Sequence, residues 1–304
     1  MSASGEAMTQ PFVSIIIPVY NDRDRLALCL AALKHQTYPK NQYEVIVIDN
    51  GSDQPLDDLA NQYPQVRLAS ESKPGSYAAR NRGLQMARGQ LLGFTDSDCI
   101  PVPDWIANGV ARFLATENCG LVAGKIQLFF QQQDRPTVVE LFDSRNFLQQ
   151  HRYIAEDHYG ATANLFTSRA VFDAVGLFNA QLKSGGDREW GKRVYAAGYQ
   201  QAYADDVCIA HPARHSWPEI AKKISRVIEG RYKIDAKQNE PINKFLKRIF
   251  LLTRPPVRDI RRALTDKELS NLRYRLGLSL VFVRIRYLSL WKEIQLYLKV
   301  NTSL

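Results

Sequence analysis

Cysteine is scarce in this 304-residue chain: Cys29, Cys99, Cys119 and Cys208 are scattered without a C-x-x-C pair, so neither a zinc site nor a disulfide framework is indicated. A reducing cytosol is the compartment this fits. The N-terminus lacks the basic-then-apolar pattern of a signal peptide, and no window offers the roughly 18 uninterrupted apolar residues of a spanning helix. Secretion and bilayer spanning are therefore not expected. Internal repeats and low-complexity stretches are absent too. No glycine-rich phosphate loop follows the first strand, which counts against enzymes that make sugar nucleotides by nucleotidyl transfer.

What is present is ordinary globular material, 45% hydrophobic and 23% charged, enough for one large α/β domain with an appendage. The net charge of +9 is unevenly placed. Residues 1–210 hold 19 Lys and Arg against 23 Asp and Glu, a net −4, whereas residues 211–304 hold 21 against 8, a net +13. A basic block of that size suits an anionic partner such as lipid headgroups, nucleic acid or a phosphorylated substrate, or else covers a solvated helix surface. No recognised nucleic-acid motif accompanies the charge, so nucleic acid is not the expected partner.

The stretch from Leu91 to Asp98 reads as a buried strand whose C-terminal end delivers two acids, Asp96 and Asp98. In an extended chain residues i and i+2 face the same way, so both carboxylates are expected to converge on one hard cation or polar ligand. A strand running into an Asp/Ser turn is the alternative. Around this stretch the pattern is βαβ. The run from Val13 to Tyr20 is β-branched with apolar residues on both faces, as in a parallel sheet covered by helices. Asn21 or Asp22 can cap a helix in which Leu26, Leu30 and Leu33 recur at helical spacing, and a strand is predicted from Tyr43 to Asp49. Asp49-Asn50-Gly51-Ser52-Asp53 is turn chemistry at the edge where open α/β sheets bind ligands. A short strand at 66–69 precedes a loop that opens near Gly75 into a helix carrying Arg80 and Arg82, both suited to phosphate.

Further helices are predicted at 101–117, 137–155 and 190–197, and strands at 121–130, 160–167 and 203–210, the last running out into His211. From Trp217 the chain turns Lys- and Arg-rich, with helices predicted at 219–234, 241–252 and 268–298 and a break at Thr253-Arg254-Pro255-Pro256.

The ordered set Pro18-Val19-Tyr20-Asn21, Val47-Ile48-Asp49-Asn50-Gly51-Ser52, Ala79-Arg80-Asn81-Arg82-Gly83, Asp96-Ser97-Asp98 and Gly186-Asp187-Arg188-Glu189-Trp190 resembles the family 2 glycosyltransferases with the GT-A fold, over roughly residues 12–215. The resemblance implies an α/β, Rossmann-like, mostly parallel sheet with helices on both faces. The chain would then divide into a polar leader (1–11), a catalytic domain (12–215) and a basic helical extension (216–304). It implies an inverting enzyme of the hexosyltransferase type, moving a sugar from a nucleotide-diphospho-sugar, in the first instance a UDP-sugar, to an acceptor hydroxyl in cell-surface glycan or polysaccharide synthesis. The sugar and the acceptor, whether lipid-linked, polymeric or small, are left unnamed.

Carried over residue by residue, the resemblance gives Pro18 and Tyr20 the nucleoside pocket and has Asp49 accept from the base. Arg80 would shape that pocket, and Asp96 with Ser97 would face the ribose and metal. Asp98, with Asp96, would ligate Mg²⁺ or Mn²⁺, and His211 would add a further metal contact. Asp187 would take the proton of the attacking hydroxyl. Gly186 replaces the family's usual glutamate, and Glu189 stands where a second acid is common, so Glu189 is a candidate to share or take the base role. Asn50 also replaces an acid often found there.

An alternative from another class is a degenerate GT-A domain serving as a membrane-bound binding or scaffold subunit; the intact acid pair and Asp187 argue for catalysis. In the tail, the segment 276–283 is apolar, too short to cross a bilayer, and bracketed by Arg273, Arg275, Arg284 and Arg286. It is expected to embed shallowly on the cytoplasmic face of a membrane while the arginines reach anionic headgroups. Packing onto the catalytic domain or a second subunit would bury the same residues instead.

Overall fold

The computed structural model describes residues 10–237, 242–269 and 271–301; nearly all of the leader expected at 1–11, and Pro241 at the head of an expected helix, lie outside the described residues. The chain runs β1 (Val13–Val19), α1 (Arg23–Lys34), β2 (Tyr43–Asp49), α2 (Asp57–Ala60), β3 (Val66–Ser70), α3 (Ser76–Met86), β4 (Leu91–Thr95), β5 (Ile100–Pro101), α4 (Trp105–Ala115), β6 (Cys119–Phe129), α5 (Val138–Asn146) and the short α6 (Gln150–Arg152). It continues with β7 (Asn164–Ser168), α7 (Arg169–Val175), α8 (Gly186–Ala196), β8 (Gln200–Pro212), α9 (Trp217–Lys237), α10 (Ile242–Thr253), α11 (Val257–Leu264) and α12 (Leu272–Asn301).

Eight strands form one sheet in the order β3-β2-β1-β4-β7-β6-β8-β5. β3, β2, β1 and β4 are mutually parallel. β7 runs antiparallel to β4 and to β6, and β5 runs antiparallel to β8. The parallel rhythm legible in the sequence thus extends to β4 and then gives way, since an apolar run reports burial on both faces but not strand direction.

Two compact units emerge, and the chain passes between them more than once. The first comprises residues up to 127 with 150–181 and 187–211; the second comprises 128–149, 182–186 and 212–304. In the first, all seven residues of β1 are buried, as its unbroken apolar run requires. α1 covers the sheet with Leu26, Cys29, Leu30 and Leu33. α3 lies so close that a Cβ on Gly83 would meet Ile16 Cγ2 at 2.5 Å, and its entry needs Gly75 at φ 124. Asn164 stitches the antiparallel half together: its Nδ2 donates to Lys125 O and Val207 O at 2.8 Å each, and its Oδ1 accepts from Trp105 Nε1 at 2.8 Å.

The second unit is helical around Val139, Phe142, Ile220, Ile224, Leu278 and Val281. A capping box at Thr137 and Glu140 starts α5. Two buried acids are tied down by cations: Asp143 pairs with Lys223 at 2.7 Å, and Glu293 pairs with Arg231 and, at 3.2 Å, with Arg248. No helix among the described residues is long and apolar enough to cross a membrane. The segment 276–283 is not free to embed as a whole, contrary to expectation, because Leu278 and Val281 belong to this core at 2% and 4% exposure.

Other departures follow from local chemistry. The helix expected over 137–155 breaks after Asn146, where Leu148 takes a left-handed φ of 57. α11 begins directly after Pro255-Pro256, the pair that the sequence marked only as a break, because proline at a helix start forfeits no intrahelical bond. α8 starts at Gly186 instead of Trp190, and β8 runs on to Pro212. These last two relocate candidate site residues.

Candidate active site

The C-terminal ends of β1, β2 and β4 share an edge, with Val19 opposite Asp49 and Ile16 opposite Phe94. Pro18 is buried within β1, while Tyr20, just past the strand, is 64% exposed and offers its ring to a planar ligand. Asp49 accepts from Ser52 N at 3.0 Å. Asn50 has a definite task that an acid at this position could not perform. Its Nδ2 donates to Glu71 O at 2.7 Å and Lys73 O at 2.9 Å, and its Oδ1 accepts from Gly75 N at 2.7 Å. The side chain splints the loop to the head of α3, and a carboxylate would lack the two donors.

β4 ends at Thr95, and Cys99 N donates to Asp96 O at 3.2 Å, so the chain turns at 96–99. The two carboxylates take different partners. Asp96 pairs with Arg80 at 2.5 Å. Arg80 is buried, and its Nε has no hydrogen-bond partner among the described residues, a donor suited to a ligand oxygen. Ser97 Oγ donates to Asp22 Oδ2 at 2.8 Å, and Asp22 accepts from Arg25 Nε at 2.6 Å. Ser97 is thus engaged with the head of α1.

Asp98 lies 3.5 Å from His211 Nε2 and 3.9 Å from Arg25. His211 belongs to β8 and is 4% exposed, not a surface residue beyond the strand. The two-residue β5 explains the juxtaposition: pairing Ile100 with Ala210 sets Asp98 and Cys99 across from His211. Among the described residues, Asp98, Cys99 and His211 are the three metal-capable side chains whose ligand atoms converge within 4.8 Å. Burial, aided by Asp96 and Asp98, pushes the Cys99 thiol well up, and a soft sulfur ligand does not suit a hard, oxygen-seeking cation. One carboxylate oxygen and one imidazole nitrogen remain. Their 3.5 Å separation accommodates two bonds of about 2.1 Å to a hard or borderline divalent cation.

Asp187 is the second residue of α8, four residues earlier in helical context than expected. Its Oδ1 accepts from Tyr77 OH at 3.1 Å and from Arg188 N at 2.9 Å. Burial raises its carboxyl above the ordinary carboxylate range, against the pull of Arg188 N, the Arg80 charge and Tyr77. The position is held by Trp190, fully buried, which stacks on Phe172 at 4.6 Å and donates to Gly176 O at 3.1 Å. Glu189 points to a different task. It receives Arg193 at 2.9 and 3.2 Å, and Arg193 also donates to Val175 O and to Leu177 O. That arrangement locks α8 to the turn after α7.

The family model of Glycosyl transferase family 2 matches residues 14–176, just over half of the chain. The chain belongs to that family. The glycosyltransferase is 39% identical to Glycosyltransferase AglE of Haloferax volcanii over 231 residues, 74% of this chain and 75% of that protein. It is 38% identical to the poly(ribitol-phosphate) beta-glucosyltransferase of Bacillus spizizenii over 94 residues, 28% of this chain and 14% of that one. Among solved structures, mannosyltransferase PcManGT from Pyrobaculum calidifontis, in complex with GDP-Man and Mn²⁺, aligns with a TM-score of 0.60 at 22% identity, covering 77% of this chain and 66% of that chain. Residues 1–349 of S. aureus TarS, in complex with UDP, align at 0.53 and 18% identity, covering 72% and 65%. These likenesses share the GT-A fold, and the glycosyltransferase spans just under two thirds of either structure.

Three residues of this candidate site are absent from those the sequence singled out for it: Tyr77, Asp22 and Arg25. Tyr77 did leave a signal. It stands three residues before Arg80, one helical turn along α3, so the same face that presents Arg80 presents Tyr77. The Arg80 guanidinium sits 5.6 Å from the Tyr77 ring centroid.

Proposed function

We propose that the chain is an inverting glycosyltransferase that uses a nucleoside-diphospho-sugar, a UDP-sugar in the first instance, with Asp187 as the base. The observation that carries this reading is the double reach of α3. From one turn of that helix Arg80 holds Asp96, beside the Asp98–His211 pair, and Tyr77 holds Asp187. Chemistry of this kind needs an electrophile-stabilising group on one side of the sugar and a proton acceptor on the other.

In this reading Tyr20 stacks on the base. Asp49 accepts from the imide N–H, which uracil and guanine carry and adenine and cytosine lack. Asp98 and His211 would hold Mg²⁺ or Mn²⁺, which when bound offsets the charge on the departing diphosphate. Arg80 directs its unsatisfied Nε toward the same anionic group. The acceptor oxygen forms its bond to the anomeric carbon from the face opposite the diphosphate. The carbon–oxygen bond to the diphosphate breaks, the nucleoside diphosphate leaves with that electron pair, and the acceptor proton passes to an Asp187 oxygen. Attack and departure on opposite faces invert the anomeric centre. Burial raises the Asp187 carboxyl, which makes it a stronger proton acceptor than an ordinary carboxylate. Glu189, engaged with Arg193, serves the helix. The relatives' roles in glycan synthesis support a glycan-directed acceptor, and the acid set supports catalysis over a scaffold role.

The test is thermal stabilisation by UDP, GDP, ADP and CDP, with Mn²⁺ or with EDTA. Metal-dependent stabilisation by UDP or GDP, absent from ADP and CDP, and lost together with transfer in Asp98→Ala, is expected. Equal stabilisation by all four nucleotides, or metal-dependent binding intact in Asp98→Ala, would overturn the assignment.

A further inference from the structure

α12 carries apolar residues on two opposite sides. Leu278 and Val281 enter the core of the second unit, while Leu276, Leu280, Trp291 and Leu298 are 55%, 58%, 59% and 54% exposed. Those positions, with Tyr287 between them, advance by steps of four or seven and so form one stripe on the outer side of the helix. α10 lies antiparallel against α12, with Phe245 stacked on Tyr297 at 4.5 Å, Arg248 on Glu293 at 3.2 Å and Arg286 donating to Leu251 O at 3.1 Å. It too exposes a stripe, Ile242, Leu246 and Phe250, at i, i+4 and i+8. Large aliphatic and aromatic side chains on two packed helices are more than the scattered exposure of an ordinary surface.

The charge beside them says what covers this face. Lys244 and Lys247 on α10 and Arg258, Arg261 and Arg262 on α11 are exposed and hold no carboxylate among the described residues. Arg254 lies with its guanidinium 4.5 Å from the Phe250 ring centroid. The acids nearby are drawn into pairs, Asp259 with Arg286 and Glu229 with Lys292. The result is an apolar face bordered by unneutralised cations, within the region that carries a net +13.

We propose that the outer face of α10 and α12 docks onto an anionic lipid bilayer, lying in the interface without crossing it. Leu246, Phe250 and Trp291 enter the headgroup boundary while the lysines and arginines reach lipid phosphates. A second copy of the chain is the poorer occupant, because a self-complementary interface would set the same cationic border against itself. The proposal does not rest on the donor or the base assigned above.

Full-length protein is sedimented with phosphatidylcholine vesicles, with and without phosphatidylglycerol, at low and high salt. Binding to the anionic vesicles that weakens as salt rises is expected. Leu246→Glu with Trp291→Glu is expected to weaken it at least tenfold, and so is Lys247→Glu with Arg254→Glu, since each cation near such a surface contributes about fivefold in affinity. Circular dichroism checks each fold; if the apolar pair misfolds, the charge-reversal pair, placed on exposed side chains, carries the same test. The proposal is overturned by absence of wild-type binding to anionic vesicles, by equal binding to neutral ones, or by binding unchanged in the folded variants. A dimer in light scattering that the apolar pair dissolves, without vesicle binding by the parent, overturns it in favour of a second copy.

Discussion

The two units put opposite kinds of residue on display. In the first, the sheet and its helices hold the apolar core, and the ligand edge gathers polar groups, Asp49, Asp96, Asp98, His211 and Asp187, beside the exposed ring of Tyr20. In the second, two acids are fully buried, Asp143 and Glu293 each at 0% exposure, while leucines, a tryptophan and cations face outward. Buried acids therefore come in two kinds: Glu44 of the first unit is paired with Arg67 and Arg88, as Asp143 and Glu293 of the second are paired with cations, whereas Asp187 is held differently. Asp143 and Glu293 are matched by full cationic partners, so their cost of burial is offset and they fix helix positions. Asp187 is held by hydrogen bonds from a hydroxyl and a backbone N–H, with no ion pair among the described residues, and its proton affinity is raised. The arrangement suits a group that must change protonation state in the first unit and groups that must not in the second.

The sharpest way to break this contrast is Asp187→Asn. Turnover is expected to fall by about two to four orders of magnitude, with donor affinity nearly unchanged, because a positioned base contributes on that scale. Glu189→Gln is expected to keep most of the turnover and lose some thermal stability; if its loss of turnover exceeds that of Asp187→Asn, the base is Glu189. Stability gives a second reading of the same substitution. A carboxyl raised in the folded state contributes full stability only below the ordinary carboxylate range and loses it as pH climbs through the raised value. Asp187→Asn should therefore be more heat-stable than the parent at neutral pH, with the difference vanishing toward acid pH, where both side chains are neutral.

The matching substitution in the second unit is Glu293→Gln. Removing the charge leaves Arg231 and Arg248 facing a buried neutral amide, and a loss of about 3 kcal/mol in unfolding free energy is expected. The sign is opposite to that of Asp187→Asn at neutral pH. Chemical denaturation of both variants at pH 7 checks it; stabilisation by Glu293→Gln would show that the two buried acids do not differ in kind.

How much of this the sequence disclosed depends on the range of the interactions involved. The parallel half of the sheet, the strand-end acids and the basic tail were all legible, because each is written in local periodicity or in composition. Asp98 and Asp187 were found as motif residues. What the sequence could not disclose were partners set by pairing across long separations. His211 was joined to Asp98 only through the family resemblance, because the two-residue strand whose pairing with β8 brings them together carries no periodicity to detect. Tyr77 meets Asp187 across 110 positions. The separate partners of the acid pair were illegible for a different reason. The i, i+2 argument holds only while the chain stays extended, and the Asp-Ser-Asp composition of 96–98 is also that of a turn, which is what forms.

The smallest of the expected effects tests whether Tyr77 positions the base or merely fills space. Its hydroxyl donates to Asp187 and so favours the ionised carboxylate, opposing the upward push of burial. Tyr77→Phe keeps the ring against Phe178, 5.8 Å between centroids, and removes only that donor. The carboxyl should then rise further, and the acid limb of the kcat/KM profile should move to higher pH by about one unit. That is the scale of a hydrogen bond to a charged group, about 1.5 kcal/mol. Above the limb, turnover should fall by no more than about tenfold, since the base still ionises but is less well aimed. Tyr77 also touches Arg80, which offers a competing explanation with a different signature. If the lost hydroxyl acted through Arg80 and the diphosphate, the KM for donor would rise and the acid limb would stay in place. A shifted limb with donor KM unchanged assigns Tyr77 to Asp187, whereas a fixed limb removes Tyr77 from the base and leaves α3 serving only the donor side.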